Sequence, residues 1–281
     1  MEQYHLTPVR IAAYEVHLHR EERAAGTIEK YLRDLRAFAR WLNEGYVTRE
    51  AVAAWKNHLC AAGYAPVTVN SMLAALNGCF DFLGWKDLQV KFLKIQRRLF
   101  RDTSRELTRQ EYGRLLAAAQ DLGRNRLALL METICATGIR VSEVRYVTVE
   151  AVRQGKAEIS LKGKIRTILF PNKLCRKLLK YARKNKIASG ELFLTRSGKR
   201  LSRRQIWSEM KRLCRAAGVA PSKVFPHNLR HLFAITFYKS CKDVVKLADV
   251  LGHSSVETTR IYLLSTGAEH ARHLERLGLV S

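Results

Sequence analysis

The sequence has no apolar run of about 18 residues, the length that a membrane-crossing helix needs. Its first stretch, MEQYHLTPVRIAAYEVHL, has no basic region followed by an unbroken apolar one, so a secretory signal is not expected. Cys60, Cys79, Cys135, Cys175, Cys214 and Cys241 form no Cys-x-x-Cys pair, and most fall inside apolar helical patterns. They read as reduced thiols of a cytoplasmic protein, not as disulfides or zinc ligands. Internal repeats of roughly 20–50 residues and low-complexity tracts are missing too. Acids are scarce: 25 Asp and Glu stand against 50 Lys and Arg, a net charge of +25 with a pI near 10.2. Such an excess implies a polyanionic partner, nucleic acid before membrane. The 281 residues are 47% hydrophobic, enough for true cores, and the length favours two unequal domains over one.

Residues 8–100 read as all helix. Thr27 is placed to cap a helix whose Ile28, Tyr31, Leu32, Leu35, Phe38 and Leu42 recur at helical spacing. Thr48 opens a second with Val52, Trp55 and Leu59 inward, and Thr68 a third with Val69, Met72, Leu73, Leu76, Phe80 and Leu83. Lys30, Arg33, Arg36 and Arg40 line an outer face, either solvated or set against phosphates. Residues 91–105 are dense in cations and read as a linker that lies along a nucleic-acid backbone.

The pattern changes after Thr108, which with Glu111 makes a capping box for a helix. Gly138 can end the next one. AEISLKG and IRTILFP then alternate and read as a short antiparallel hairpin, to which residues 191–195 could add a strand. Ser202 and Gln205 box another helix. In residues 225–262, Pro226 suits a first helical position, and His227 and Arg230 share a face three residues apart. Asp243 can cap a second helix that Gly252 ends as a left-handed residue. Ser254 with Glu257 reads as a capping box for a third helix, with Tyr262 about two turns into it.

Residues 136–144 (ATGIRVSEV), 226–231 (PHNLRH), 251–253 (LGH) and 258–262 (TTRIY) together resemble the tyrosine site-specific recombinases, the phage-integrase and Xer-type family. The similarity runs through roughly residues 105–265, and four motifs in the right order are a specific signal. The resemblance implies a mainly α protein with a small antiparallel β-sheet, a two-domain DNA clamp. Residues 1–90 would form a helical, SAM-like core-binding domain, residues 91–105 a basic linker, and residues 106–281 an α+β catalytic domain. The tail at 265–281 would dock on a neighbouring protomer; packing on its own chain is the alternative.

The resemblance also implies a chemistry. Breaking a phosphodiester needs cations held in advance, an aligned nucleophile and a general acid. Arg140 and Arg230 resemble the family's phosphate-clamping arginines, whose planar forks fit two phosphate oxygens. Glu143 would orient Arg140 or make a helix contact. His227 resembles the histidine that bonds the scissile phosphate, and His253 the one that supports a nonbridging oxygen. Tyr262 resembles the nucleophile. Lys162 resembles the general acid of the hairpin. Where the family commonly shows Lys-Gly-x-Lys-x-Arg, this chain reads Lys162-Gly163-Lys164-Ile165-Arg166, so Lys164 stays open as the alternative. His231 stands four residues after His227, but Arg230 between them would repel a zinc ion, so His231 reads as a core or supporting histidine. The implied reaction is a 3′-phosphotyrosyl exchange through a Holliday junction, in a homotetramer on two double-stranded DNA sites, with no metal, ATP or other cofactor and no membrane. Two other readings remain: a type IB topoisomerase-like enzyme, and a non-catalytic helix-turn-helix regulator built on residues 243–262.

Overall fold

The computed structural model describes residues 4–96, 104–161, 164–262, 272 and 274–277. They fall into two compact units, one within residues 1–97 and one within 98–281. The first is four helices: α1 (Pro8–Arg20), α2 (Ala25–Leu42), α3 (Arg49–Ala61) and α4 (Pro66–Phe82). Their apolar stripes meet in one core, with Leu35, Phe38, Val52, Leu73, Leu76 and Phe80 sealed from solvent. Thr48 caps α3 through the Ala51 N–H, as its position implies. Thr27 and Thr68 do not act as caps. The helix α2 starts upstream, where Thr27 N–H already bonds Ala24 O at 2.7 Å. The helix α4 starts at Pro66, whose fixed φ suits a first turn and outweighs a cap two residues later.

The basic face of α2 is partly consumed internally. Asp34 is buried, and Lys30 and Arg33 hold its carboxylate at 2.7 and 3.0 Å, while Lys30 also donates to Ser71 O on α4. The basic stretch after α4 also begins as part of this unit. Asn77 exchanges hydrogen bonds with the backbone of Val90, and Asn70 does so with Leu93. The rest of the expected linker, residues 97–103, lies outside the described residues.

The second unit opens with α5 (Arg109–Asp121), whose capping box joins Thr108 and Glu111 in both directions. It continues with α6 (Asn125–Thr137), a tight turn over Val141–Tyr146, and α7 (Val149–Gln154). Strands β1 (Lys156–Leu161) and β2 (Lys164–Leu169) pair antiparallel from Lys156↔Leu169 to Leu161↔Lys164. Then come α8 (Asn172–Lys184), α9 (Arg203–Lys211), α10 (Cys214–Ala217), α11 (Pro226–Cys241), α12 (Val244–Leu251) and α13 (Val256–Thr259). Ser202 and Gln205 box α9 as expected. Among the described residues the sheet has two strands; residues 191–195 make only single bridges, Thr148↔Glu191 and Leu194↔Arg200. The chain turns at Thr195–Gly198 before a ladder can extend, with Gly198 N–H on Thr195 O. Helix α6 is the axis of this unit: it touches α5, α8, α9 and α11, and buries Leu127, Leu130, Met131 and Ile134. Its C-terminal end therefore meets the first turns of α11. No described helix is long and apolar enough to cross a membrane.

Candidate active site

Gly138 stops α6 in the left-handed region, φ 65°. A Cβ there would stand 2.4 Å from Phe233 Cδ1 on α11, so glycine is needed for the close approach as well as for the turn. Two residues on, Arg140 points its guanidinium at Gly252 O (3.0 Å) and at Glu143 Oε1 (2.8 Å). Glu143 is 1% exposed and also receives the Arg140 N–H (2.8 Å) and Arg166 Nη1 (2.6 Å). Burial alone would raise its carboxyl. The Arg140 amide bond and the charges of Arg166 and Arg140 outweigh that and hold it below the usual range. It is therefore an anion gripped from two sides, and it orients Arg140.

Arg230 approaches from α11. It is 3% exposed and donates to Gly138 O (2.6 Å), Leu251 O (2.7 Å) and His253 Nε2 (3.0 Å). Burial first, then Arg140 and Arg166, push its pKa down to about 10, against the opposing pull of Tyr262 and Glu143. These influences place Arg140, Arg166 and Tyr262 each within electrostatic reach of Arg230. A guanidinium can only donate, so His253 Nε2 must be the acceptor and Nδ1 carries the hydrogen, donated to Thr259 Oγ1 at 2.8 Å. That tautomer agrees with a pKa pushed down to about 4, by burial and then by Arg230, Arg140, Arg166 and His227. His227, on the α11 face of Arg230, is also held below the ordinary histidine value, by burial and then by Arg230, His231 and Arg140.

Tyr262 closes the site. It is 3% exposed, outside the main core, in a small cluster with Ala234, Leu247 and Leu251. Its ring lies 5.0 Å from that of His231 and 6.2 Å from that of His253, nearly parallel to the latter at 12°. The lead-in differs from the expected one. Ser255, not Ser254, provides the cap, its Oγ accepting from Glu257 N–H at 3.2 Å. Helix α13 then lasts only 4 residues and tightens into a 3₁₀ turn over Arg260–Tyr262, so Tyr262 is not two helical turns in. Thr258 and Thr259 are β-branched, and the Thr259 hydroxyl is engaged by His253, which together disfavour a longer α-helix.

Lys162 lies outside the described residues, and Lys164 opens β2 opposite Leu161. The other expected residues, Arg140, His227, Arg230, His253 and Tyr262, come together from α6, α11, α12 and the turn after α13. Residue reasoning passed over three participants. Arg166 grips Glu143 and donates to Val250 O at 2.6 and 3.1 Å. Its signal was present as the last residue of the Lys-Gly-x-Lys-x-Arg pattern. Thr259, and Glu106, whose Oε1 stands 3.2 Å from His231 Nε2, left none that a single chain reveals. Among the described residues no group of three or more His, Cys, Asp or Glu could hold a metal ion.

Comparison with known proteins bears on the same constellation. The sequence model of the phage integrase family matches residues 105–269, and that of the phage integrase N-terminal SAM-like domain matches residues 11–87. The chain belongs to the phage integrase family. Tyrosine recombinase XerA of Pyrococcus furiosus is 30% identical over 279 residues, covering 95% of this chain and 93% of that one. Tyrosine recombinase XerD of Xanthomonas campestris pv. campestris is 32% identical over 286 residues, covering 90% and 87%. The fold matches a lambda integrase tetramer bound to a Holliday junction with a TM-score of 0.73, over 92% of this chain and 78% of that one, at 20% identity. The mostly helical architecture with its small antiparallel sheet is thus the fold of this family of recombinases.

Proposed function

We propose that this integrase-family protein is a site-specific DNA recombinase in which Tyr262 attacks a phosphodiester held by Arg140 and Arg230. The observation that carries the proposal is the buried Tyr262 ring beside those of His231 and His253, with Arg230 bonded to His253 and Arg140 in electrostatic reach of Arg230. Glu143 aims Arg140, and backbone carbonyls at 138 and 251 fix Arg230, so the positive charge is in place before a phosphate arrives. His227 and His253 start neutral, held so by burial first and then by the surrounding cations, and an arriving phosphate anion offsets that repulsion.

In the reaction, Tyr262 Oη forms a bond to phosphorus and loses its proton, with His227, by its place in the motif, as the acceptor. The 5′ oxygen leaves and takes a proton from a lysine of the hairpin, Lys162 by motif and Lys164 as the alternative. The product is a 3′-phosphotyrosyl link and a free 5′ hydroxyl. A 5′ hydroxyl from a second duplex then attacks the link and regenerates Tyr262. Two rounds exchange both strand pairs through a Holliday junction. Phosphodiester bonds are conserved in number, so the cycle needs no ATP, and the guanidiniums supply the charge a metal would. The reading includes a core-binding domain at 1–90 that embraces the DNA with a catalytic domain at 106–281, four protomers on two sites, and a tail at 265–281 shared between them. Of that tail, only 272 and 274–277 are among the described residues. We place the protein in the cytoplasm, where all six cysteines stay free thiols.

The test is a trapped adduct. Duplexes enriched for binding from a random-sequence pool serve as the probe, and covalent protein–DNA species are read on a denaturing gel. The wild-type chain should form the adduct, and Tyr262→Phe should bind the same duplex yet form none. An adduct from Tyr262→Phe would remove Tyr262 as nucleophile. Relaxation of a plasmid lacking the selected sequence would favour a topoisomerase instead. A helix-turn-helix regulator is poorly served by α13, whose 4 residues are too few for a recognition helix laid in a groove.

A further inference from the structure

We infer that His231, steadied by Glu106, is a positioning residue for Tyr262; this rests on the reading of Tyr262 as the nucleophile. On α11, residues 227, 230 and 231 share one face, because positions three and four apart are neighbours on a helix. His231 therefore turns to the same side as His227 and Arg230, and it lies within electrostatic reach of His227. Among the described residues its ring is the one packed nearest the Tyr262 ring, at 5.0 Å and an angle of 48°. On its other side, Nε2 stands 3.2 Å from Glu106 Oε1, an ion pair whenever the imidazole is protonated.

The carboxylate is delivered deliberately. Glu106 belongs to the segment just ahead of α5, and that segment is anchored at both flanks. Asn228 Nδ2 on α11 donates to Arg105 O at 2.6 Å, and Leu107 is buried in the main core. The Thr108–Glu111 capping box fixes the chain immediately after. The first turn of α11 thus clamps the backbone that presents Glu106 to the next turn of the same helix. Both partners are shielded, with side chains 15% and 16% exposed, so the pair is far less screened than a surface one. The phenol thus lies beside two imidazoles: His253, bonded to Thr259 and Arg230, and His231, with Glu106 at 3.2 Å from its Nε2. With the ring 3% exposed and set against both, its hydroxyl has a restricted arc from which to reach phosphorus. Restricting that arc is worth rate, since a misplacement of about 1 Å can cost about a hundredfold.

The experiment uses the full chain and the selected duplex of the adduct assay, with His231→Gln, Glu106→Gln, the double variant and His231→Ala. At saturating duplex, each single glutamine variant should form adduct roughly tenfold more slowly with unchanged duplex affinity. The double variant should be no slower than the worse single one, since the two act as a unit. His231→Gln, which keeps a donor toward Glu106, should retain more rate than His231→Ala. A second readout needs no DNA: in protein carrying 3-fluorotyrosine at its 10 tyrosines, the Tyr262 resonance is assigned by its loss in Tyr262→Phe. That resonance should shift in each His231 and Glu106 variant. Wild-type adduct rates with an unmoved resonance would overturn the inference, as would a rate loss matched by an equal loss of duplex affinity. If Tyr262→Phe itself forms adduct, the nucleophile assignment fails, while the fluorine shift still reports whether His231 and Glu106 hold that ring.

Discussion

Glu143 shows how a single side chain decides what the arginines around it can do. It is buried, anionic and shared by Arg140 and Arg166. Removing its charge leaves Arg166, itself 10% exposed in its side chain, without a counter-ion, and breaking such a buried pair costs about 3–5 kcal/mol. Glu143→Gln should therefore unfold at markedly lower urea concentration at neutral pH. Its carboxyl titrates below the ordinary 4.5, so its contribution is complete above that value and is lost as the pH falls through the folded-state value. The acid limb of stability should shrink in the variant. His253 acts in the same direction at higher pH. Its pKa is about 4 in the fold against an ordinary 6.5, so the unfolded chain binds more protons between these values. Stability due to the neutral ring is full above 6.5 and drains as the pH falls toward 4. Thermal midpoints followed across that range should begin to drop well before the carboxylates titrate, and His253→Asn should delay the onset.

At the scale of elements, the site depends on how helices end more than on how they run. Helix α12 is short, 8 residues, and it carries the Leu251 and Gly252 carbonyls to Arg230 and Arg140. Asp243 caps it by accepting from Lys246 N–H at 2.9 Å. Asp243→Ala should cost about 1 kcal/mol of stability, read from chemical denaturation. At the other end, Gly252 has φ 61°, and a Cβ there would stand 2.4 Å from Arg166 Cδ. Gly252→Ala should cost more than the cap does, because it adds backbone strain and displaces the arginine that holds Glu143. Adduct formation should fall with it, while duplex binding through the rest of the surface persists. The caps at Thr48, Thr108 and Ser202 were legible in the residues because a hydroxyl reaches its own backbone three positions on. The starts at Ala25 and Pro66 were not, since a nearby threonine offers the same local signal whether or not the chain uses it.

For the whole molecule, the charge of +25 sets the affinity for DNA and its salt dependence. Each phosphate neutralised releases counter-ions, so the logarithm of the binding constant should fall steeply and linearly with that of the salt concentration. Raising salt from about 50 to about 200 mM should weaken binding on the order of a thousandfold or more if six or more phosphates are met, as filter binding would show. A nearly flat dependence would contradict a DNA-embracing clamp. Not every lysine and arginine joins in: Lys30 and Arg33 serve Asp34, and Arg166 serves Glu143. Neutralising Arg36 should lower the salt slope by about one if it meets a phosphate, whereas neutralising Lys30 should act mainly on stability. Adduct formation should be unchanged by EDTA, since guanidiniums fixed by the fold carry the charge stabilisation.

Composition, the apolar stripes and four short motifs were enough to fix the polyanionic partner, the helical architecture with its hairpin, and the family. Each of these depends on local spacing or on residue counts, which a linear chain displays. The fold alone decided that Glu143 is shared with Arg166, that His253 presents Nε2 to Arg230, and that Tyr262 ends a tight turn, buried beside two imidazoles. It also brought Glu106 to His231 across more than a hundred residues of chain. Contacts of that kind arise when packed helices close on one another, and no local pattern encodes which side chains will then meet.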